Sequence, residues 1–290
     1  MGARGMKRFF CLAALCLLPV AAHAAPDKIV LPSAFSGGFA YIKVSINGAP
    51  AVWMNIDDGT TPSAIDIDYA RSLGLTLKHT GKLGEGAGDS PAEVLRTRAA
   101  TLATGSVSQA NIAFEATSLK AFKAPDGTPL EGILGYSFLK GRILVLDYKA
   151  GEVDLLTASK PAPGDLPFTY DDDVPSIAIT VAGHPVTALI DSGGGYNLLL
   201  TPATATAIGL GDAMASGPTG TGYGYNGAQT MRGGTAPDLN VGTITLTNPA
   251  TVFTTFGNAP LKAGGSLGNQ FLMHYRVTLN YRTKTIRFEP

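Results

Sequence analysis

Two aspartates, Asp57 and Asp191, stand in nearly identical surroundings far apart in the chain. Each follows an apolar residue and lies two positions before a glycine, within the segments Asn55–Gly59 and Leu189–Gly193. Two ionised carboxyl groups held a few ångströms apart repel each other, so the pair favours a state in which they share one proton. The ionised group can then act as a general base on water, and the protonated group can act as a general acid.

An internal repeat predicts that these two aspartates meet. The two copies are separated by 134 residues at the aspartates (191 − 57) and by 135 at the prolines that precede them (185 − 50). A repeat of this length predicts two similar lobes, and a pseudo-twofold axis between such lobes brings equivalent residues face to face. The paired segments are Ile46–Pro50 with Val181–Pro185, Ala70–Leu75 with Ala205–Leu210, Ile133–Leu139 with Ser266–Leu272, and Arg142–Leu155 with Arg276–Phe288.

The elements that must position the aspartates are mostly β-strands. Short segments rich in β-branched residues and bounded by Gly or Pro turns predict strands. Helices are predicted only over Ile67–Leu73 and Thr201–Ile208, each followed by a glycine. The predicted strands nearest to the aspartates are Ala40–Ile46, Ala51–Ile56, Ile177–Val181 and Val186–Ile190.

These motifs together resemble those of the aspartic proteases. The apolar-Asp-Ser-Gly sequence in Leu189–Gly193 is similar to that family's active-site loop, and the elements ending at Gly135 and Gly268 are similar to its apolar-apolar-Gly signature. From about Phe39 to Pro290, the chain looks like a bacterial retropepsin-like or pepsin-like aspartyl protease with two lobes fused in one chain. The resemblance implies a mainly β, bilobal, acid-protease-like fold of two pseudo-symmetric β-barrel lobes with few short helices.

The resemblance also implies roles for individual residues. Asp57 and Asp191 would be the catalytic pair of an endopeptidase, and they would activate water to hydrolyse a peptide bond in the cleft between the lobes. No cofactor, metal or covalent intermediate is needed for this chemistry. The supporting active-site loop residues would be Asp58, Gly59, Ser192 and Gly193.

Asp58 departs from the family pattern, which has Thr or Ser at this position. Ser192 keeps the hydroxyl in the second copy. A third buried carboxylate beside two others is costly unless it is protonated or well paired. Three interpretations follow: Asp58 is tolerated as a neutral group, Asp58 rather than Asp57 belongs to the pair, or the chain is a catalytically inactive protein that binds a peptide or an envelope polymer.

A glycine-rich segment, Gly222–Gly227, matches the dinucleotide pattern G-x-G-x-x-G. That pattern is meaningful only between a strand and a helix of a βαβ unit, and no such unit is predicted here. The segment is better interpreted as a β-hairpin flap that closes over substrate, in which Tyr223 or Tyr225 would contact the ligand.

The N-terminus has the pattern of a cleaved export signal. A basic start is followed by an apolar stretch from Phe9 to Ala22 and a small-x-small site that ends at Ala24. We therefore expect a signal peptide over 1–24, lobes over 25–158 and 159–290, and a periplasmic or secreted protein without a stable membrane span. Both cysteines lie in the signal, so the mature chain would have no disulfide.

The mature chain is expected to act on a peptide or protein. Removal of the signal leaves 19 Lys and Arg against 22 Asp and Glu, a net charge of −3. This charge is too small and too scattered for nucleic-acid binding. Because both lobes lie in one chain, a monomer is expected. The histidines are too dispersed for a metal site, and no cofactor is expected.

The first testable prediction concerns maturation. Mass spectrometry of the exported protein should find Ala25 at the N-terminus, because cleavage after Ala24 fits the small-x-small pattern. Recovery of the uncleaved chain in the membrane fraction would contradict this expectation and indicate an anchored protein.

Overall fold

The computed structural model describes Met1 and residues 27–84, 86–257, 259 and 261–290. Apart from Met1, the predicted signal peptide lies outside the described residues. Among the described residues, none of the helices has both the length and the apolar character that crossing a membrane would require.

The first copy of the repeat contains eleven strands and two short helices within the described residues. The strands are β1 Lys28–Leu31, β2 Ser33–Ser36, β3 Phe39–Ile46, β4 Val52–Ile56, β5 Ala64–Asp66, β6 Lys78–Leu83, β7 Glu93–Thr104, β8 Val107–Thr117, β9 Gly132–Leu134, β10 Ile143–Asp147 and β11 Glu152–Leu156. The helices are α1 Ile67–Ser72 and α2 Tyr136–Leu139.

The second copy repeats this order with one added hairpin and one added helix. Its strands are β12 Leu166–Pro167, β13 Thr169–Asp171, β14 Val174–Val181, β15 His184–Asp191, β16 Leu198–Leu200, β17 Thr219–Gly224, β18 Gly227–Thr235, β19 Asp238–Val241, β20 Ile244–Thr247, β21 Ala250–Phe253, β22 Gly265–Gly268, β23 Arg276–Asn280 and β24 Thr285–Glu289. Its helices are α3 Pro202–Ala207, α4 Gly211–Ser216 and α5 Asn269–Leu272.

Each lobe is built around a sheet with the same strand order. The first lobe has the order β2-β3-β4-β9-β5-β8-β7-β6, and β3 also pairs with the far end of the long strand β7. The second lobe has the equivalent order β13-β14-β15-β22-β16-β21-β18-β17, with the hairpin β19–β20 added beside β14. The mainly β, two-lobed fold class predicted from the sequence is confirmed.

A third sheet joins the lobes. Its order is β1-β11-β10-β23-β24-β12, so three strands come from each half of the chain. At its centre, β10 and β23 are antiparallel, and Val145 lies opposite its own repeat equivalent, Thr278. The pseudo-twofold axis therefore passes through this sheet. Leu144 and Leu146, on β10, and Leu279, on β23, are completely buried, and the lobes share a continuous hydrophobic core.

The predicted elements agree closely with the observed ones. The strand predicted over Ala40–Ile46 is β3, and the helix predicted over Thr201–Ile208 is α3, with Thr201 as its N-cap. Gly74 and Gly209 follow α1 and α3 with φ of +66° and +78°, a conformation that glycine adopts without strain. Helices α2 and α5 were not predicted, because four residues are too few to show helical periodicity.

The shared sheet generates a stability prediction. Leu279→Ala should lower the free energy of unfolding by about 2–5 kcal/mol, because it leaves a cavity between the two lobes. Val30→Ala, in the same sheet but 53% exposed, is the matched control and should cost less than about 1 kcal/mol. Urea unfolding monitored by near- and far-UV circular dichroism should show one transition for Leu279→Ala. Equal midpoints for the two variants, or separate unfolding of the lobes, would contradict the prediction.

Candidate active site

Both aspartates lie at the carboxyl end of a buried strand, where a neighbouring parallel strand supports them. Asp57 directly follows β4, and β9 runs parallel to β4. The backbone N–H of Asp57 donates to Leu134 O at 3.1 Å. Asp191 ends β15, and β22 runs parallel to it with Gly268 opposite Asp191. The repeated topology therefore presents the two carboxyls at equivalent positions.

The glycine of the apolar-apolar-Gly element is required by close backbone packing. A Cβ atom on Gly135 would overlap the carbonyl oxygen of Thr60, in the loop that follows Asp57. A Cβ atom on Gly268 would similarly lie 2.6 Å from Gly194 O and overlap Tyr196 O, in the loop that follows Asp191. Each glycine thus lets its aspartate-bearing loop lie directly against the supporting strand.

The side chains of Asp57 and Asp191 face each other across the interface between the lobes. The glycine of each loop faces the aspartate of the other lobe. A Cβ atom on Gly59 would lie 2.7 Å from Asp191 Oδ1 and 3.1 Å from Asp57 Oδ1, and a Cβ atom on Gly193 would overlap the Asp57 carboxyl. Any larger residue at either position would hold the carboxyls apart. Asp57, and not Asp58, is therefore the partner of Asp191 in space.

Asp57 accepts hydrogen bonds from its own loop. Its Oδ1 accepts from the Gly59 N–H at 2.8 Å, and its Oδ2 accepts from the Thr60 hydroxyl at 2.6 Å. Sequence reasoning missed Thr60, although a hydroxyl immediately after Asp-x-Gly was a signal that could have identified it.

Asp191 has a different set of donors. Its Oδ1 accepts from the Gly193 N–H at 3.1 Å, and its Oδ2 accepts from the Tyr196 hydroxyl at 2.5 Å. The Tyr196 oxygen also lies 2.9 Å from the Ser266 hydroxyl. Tyr196 was missed as well, because nothing in the sequence indicates that its side chain turns back towards Asp191.

The surroundings of Asp57 and Asp191 favour a state in which the two carboxyls hold one proton. Partial withdrawal from water raises the pKa of Asp57, and the hydrogen bonds from Thr60 and Gly59 oppose this rise. Withdrawal from water and then the charge of Asp57 raise the pKa of Asp191 well above its ordinary value. The two carboxyls therefore titrate as a pair that holds one proton between them.

Asp58 and Ser192 cross the interface directly behind the pair. The Ser192 hydroxyl accepts from the Asp58 N–H at 3.2 Å and donates to Ile56 O at 3.2 Å. In return, Asp58 Oδ1 accepts from the Ser192 N–H at 2.7 Å. Both side chains are buried. Asp58 thus accepts a hydrogen bond from the backbone N–H of the facing loop, as Ser192 does. An ionised Asp58 carboxylate cannot also donate to a backbone carbonyl, as the Ser192 hydroxyl does.

The environment of Asp58 favours its neutral form. Burial, followed by the nearby Asp57, raises the pKa of Asp58 to about 7 in spite of the Ser192 hydrogen bonds. Its Oδ2 is buried and has no hydrogen-bond partner within the part of the chain that the structure describes. Tyr281, which is buried, and its repeat equivalent Tyr148, which is partly buried, lie close enough to Asp58 to interact with it electrostatically. A neutral Asp58 avoids an unpaired buried charge.

The glycine-rich segment of the second lobe is a hairpin, β17–β18, that reaches the first lobe. Asn226 at its tip is buried, and its Oδ1 accepts from the Gly88 N–H while its Nδ2 donates to Gly88 O, both at 2.6 Å. Tyr225 lies against Gly84, where a Cβ atom would be 2.5 Å from the tyrosine hydroxyl. Tyr223 is 72% exposed. Contact of either tyrosine with a substrate stays a prediction.

Within the described residues, no group of three or more His, Cys, Asp and Glu side chains is arranged to hold a metal ion. The chemistry that the site itself offers is acid–base catalysis by two carboxyls.

Comparison with known proteins assigns the chain to a family. A search of the curated proteins gives no significant match. The crystal structure of basic 7S globulin from soybean is similar in fold, with a TM-score of 0.51 and 10% sequence identity over 91% of this chain and 95% of that one. The aspartyl protease family model matches residues 42–138 and 177–271, which include both aspartate loops and both glycine elements. The chain therefore belongs to the aspartyl protease family.

Proposed function

We propose that this protein is an exported aspartic endopeptidase, periplasmic or secreted, in which Asp57 and Asp191 activate water to hydrolyse peptide bonds in the cleft between the lobes. The observation that carries the proposal is the meeting of the two carboxyls across the lobe interface, where the glycine of each loop faces the aspartate of the other lobe. Membership of the aspartyl protease family supports the same reaction class. The substrate is a peptide or protein, and the lobes of 25–158 and 159–290 act together as a monomer.

The unequal surroundings of the carboxyls assign their roles. We assign the role of base to Asp57, whose charge raises the pKa of Asp191. Asp57 takes a proton from a water molecule bound between the two carboxyls. The water oxygen attacks the peptide carbonyl carbon, and Asp191 gives its proton to the carbonyl oxygen. In the second step, Asp57 gives its proton to the amide nitrogen, the C–N bond breaks, and Asp191 recovers a proton from the tetrahedral intermediate. Each carboxyl ends the cycle in its starting state.

Substitution of either aspartate by the isosteric amide tests this assignment. Asp57→Asn and Asp191→Asn should each lower kcat on a peptide substrate by at least roughly a hundredfold, because an amide can neither take the proton from water nor supply the shared acidic proton. The control is Asp68→Asn, which changes an exposed carboxylate paired with Lys120 and Arg71. Parent-like activity in either of the first two variants would remove the aspartic mechanism. A pepstatin-type inhibitor should block the parent.

A specific observation favours a second candidate function. Asp58 stands where the family pattern has a hydroxyl, and its Oδ2 is buried with no hydrogen-bond partner among the described residues. A buried carboxyl oxygen without a partner destabilises the site. Such a site fits a protein that retains the cleft for binding an extended peptide or an envelope polymer but has lost catalysis.

The pH–rate profiles of the parent and of Asp58→Thr separate the two functions. Asp58 ionises as the pH rises through about 7, and its charge then raises the pKa of Asp191. The alkaline limb of the parent profile should therefore lie at higher pH than that of the variant. The parent should therefore keep more of its activity near neutrality. Superimposed profiles would refute this coupling. Cleavage by Asp58→Thr together with an inactive parent would establish the binding function instead.

A further inference from the structure

The two aspartate loops hold the outer carboxyl oxygens in different ways. In the first lobe, Thr60, three residues after Asp57, donates its hydroxyl to Asp57 Oδ2. The residue three positions after Asp191 is Gly194, which has no side chain. The repeat therefore lacks, at the equivalent position, a donor for Asp191. The missing donor would leave one oxygen of a half-buried carboxyl unpaired, at a cost in free energy.

Tyr196 supplies this donor from two residues further along the loop. Its hydroxyl donates to Asp191 Oδ2 at 2.5 Å and is held from the other side by Ser266 at 2.9 Å. The space for its ring is made by glycines. A Cβ atom on Gly194 would lie 2.6 Å from Tyr196 Cζ, and one on Gly268 would lie 2.7 Å from Tyr196 Cδ2. A side chain at position 194 and the tyrosine ring thus exclude each other.

We propose that Tyr196 is a positioning residue of the catalytic pair. Its hydroxyl donates a hydrogen bond to Oδ2 of Asp191 and so keeps the proton of that carboxyl on Oδ1. This inference rests on the proposed function. Oδ1 is the oxygen that lies beside Asp57, because both Oδ1 atoms are within 3.1 Å of the position that a Cβ atom on Gly59 would take. Only a proton on Oδ1 is placed to reach a carbonyl oxygen bound between the carboxyls.

The hydroxyl also stabilises the ionised form of Asp191. A phenol is a more acidic donor than the threonine alcohol that serves Asp57, so the two sides of the pair are not chemically equivalent. The titratable groups that act on Asp191 are Asp57, Asp58, Tyr148 and Tyr196 itself. The hydrogen bond from Tyr196 opposes the rise in the pKa of Asp191 that burial and the charges of Asp57 and Asp58 cause.

Tyr196→Phe removes the hydroxyl and keeps the ring. We expect kcat to fall roughly tenfold to a hundredfold with little change in KM, since the proton is misplaced while the cleft is unchanged. The alkaline limb of the pH–rate profile should move up by roughly one to two pH units, the size of a hydrogen bond to a charged group. Tyr275→Phe is the matched control, because Tyr275 packs against Phe271 and Phe288, not against the aspartates. It should behave as the parent.

Carboxyl titration measures the same property without requiring catalysis. With ¹³C-labelled aspartate, the Asp191 resonance, assigned from its loss in Asp191→Asn, should titrate at higher pH in Tyr196→Phe than in the parent. In the parent alone, the ¹³Cζ resonance of Tyr196 should follow the Asp191 titration, and that of Tyr275 should not. This second readout holds even if Tyr196→Phe fails to fold.

The outcomes separate this inference from the proposed function. If the parent hydrolyses no peptide but shows the coupled Tyr196 and Asp191 titrations, the proposed endopeptidase function is overturned. The role of the Tyr196 hydrogen bond in setting the titration of Asp191 is then still supported. An active parent whose Tyr196→Phe variant has the same kcat, the same pH profile and the same Asp191 titration would overturn only the role of Tyr196. A Tyr196 resonance that stays unchanged while Asp191 titrates would likewise overturn it.

Discussion

The approach of two carboxyls across the boundary between two lobes is the constraint on which this structure depends. Burial raises the pKa of both Asp57 and Asp191, and the charge of Asp57 raises that of Asp191 further, so the arrangement costs free energy that the fold must offset. The shared sheet offsets it by burying apolar surface from both halves around β10 and β23. Glycines 59 and 193 then allow the final approach, because each faces the aspartate of the other lobe without a side chain between them.

The pseudo-symmetry holds for the backbone but not for the chemistry of the site. The sheets have the same strand order, and the aspartates stand at equivalent ends of β4 and β15. The side chains around them differ: Asp58 faces Ser192 across the interface, and Thr60 on one side is matched by Tyr196 on the other. A symmetric scaffold with asymmetric donors gives two like carboxyls different proton affinities, which is what acid–base catalysis by a pair needs.

Among the described residues, three of the contacts that join the lobes differ in character. The shared sheet is apolar and buried. The Asp58–Ser192 crossing is polar but fully enclosed. The contact of the Asn226 hairpin with Gly88 is made through hydrogen bonds between glycine-rich segments.

The repeat and its motifs in the sequence by themselves determined the two-lobed β fold, the equivalence of Asp57 with Asp191 and the unusual position of Asp58. These features follow from local periodicity and from spacing that is conserved between two copies in one chain. Only the tertiary structure decided that Tyr196 donates to Asp191, that Thr60 donates to Asp57 and that the Asn226 hairpin reaches the first lobe. The reason is physical: the direction in which a loop side chain points depends on space left by distant residues. Gly194 and Gly268 make that space for Tyr196, and no pattern along the chain encodes it.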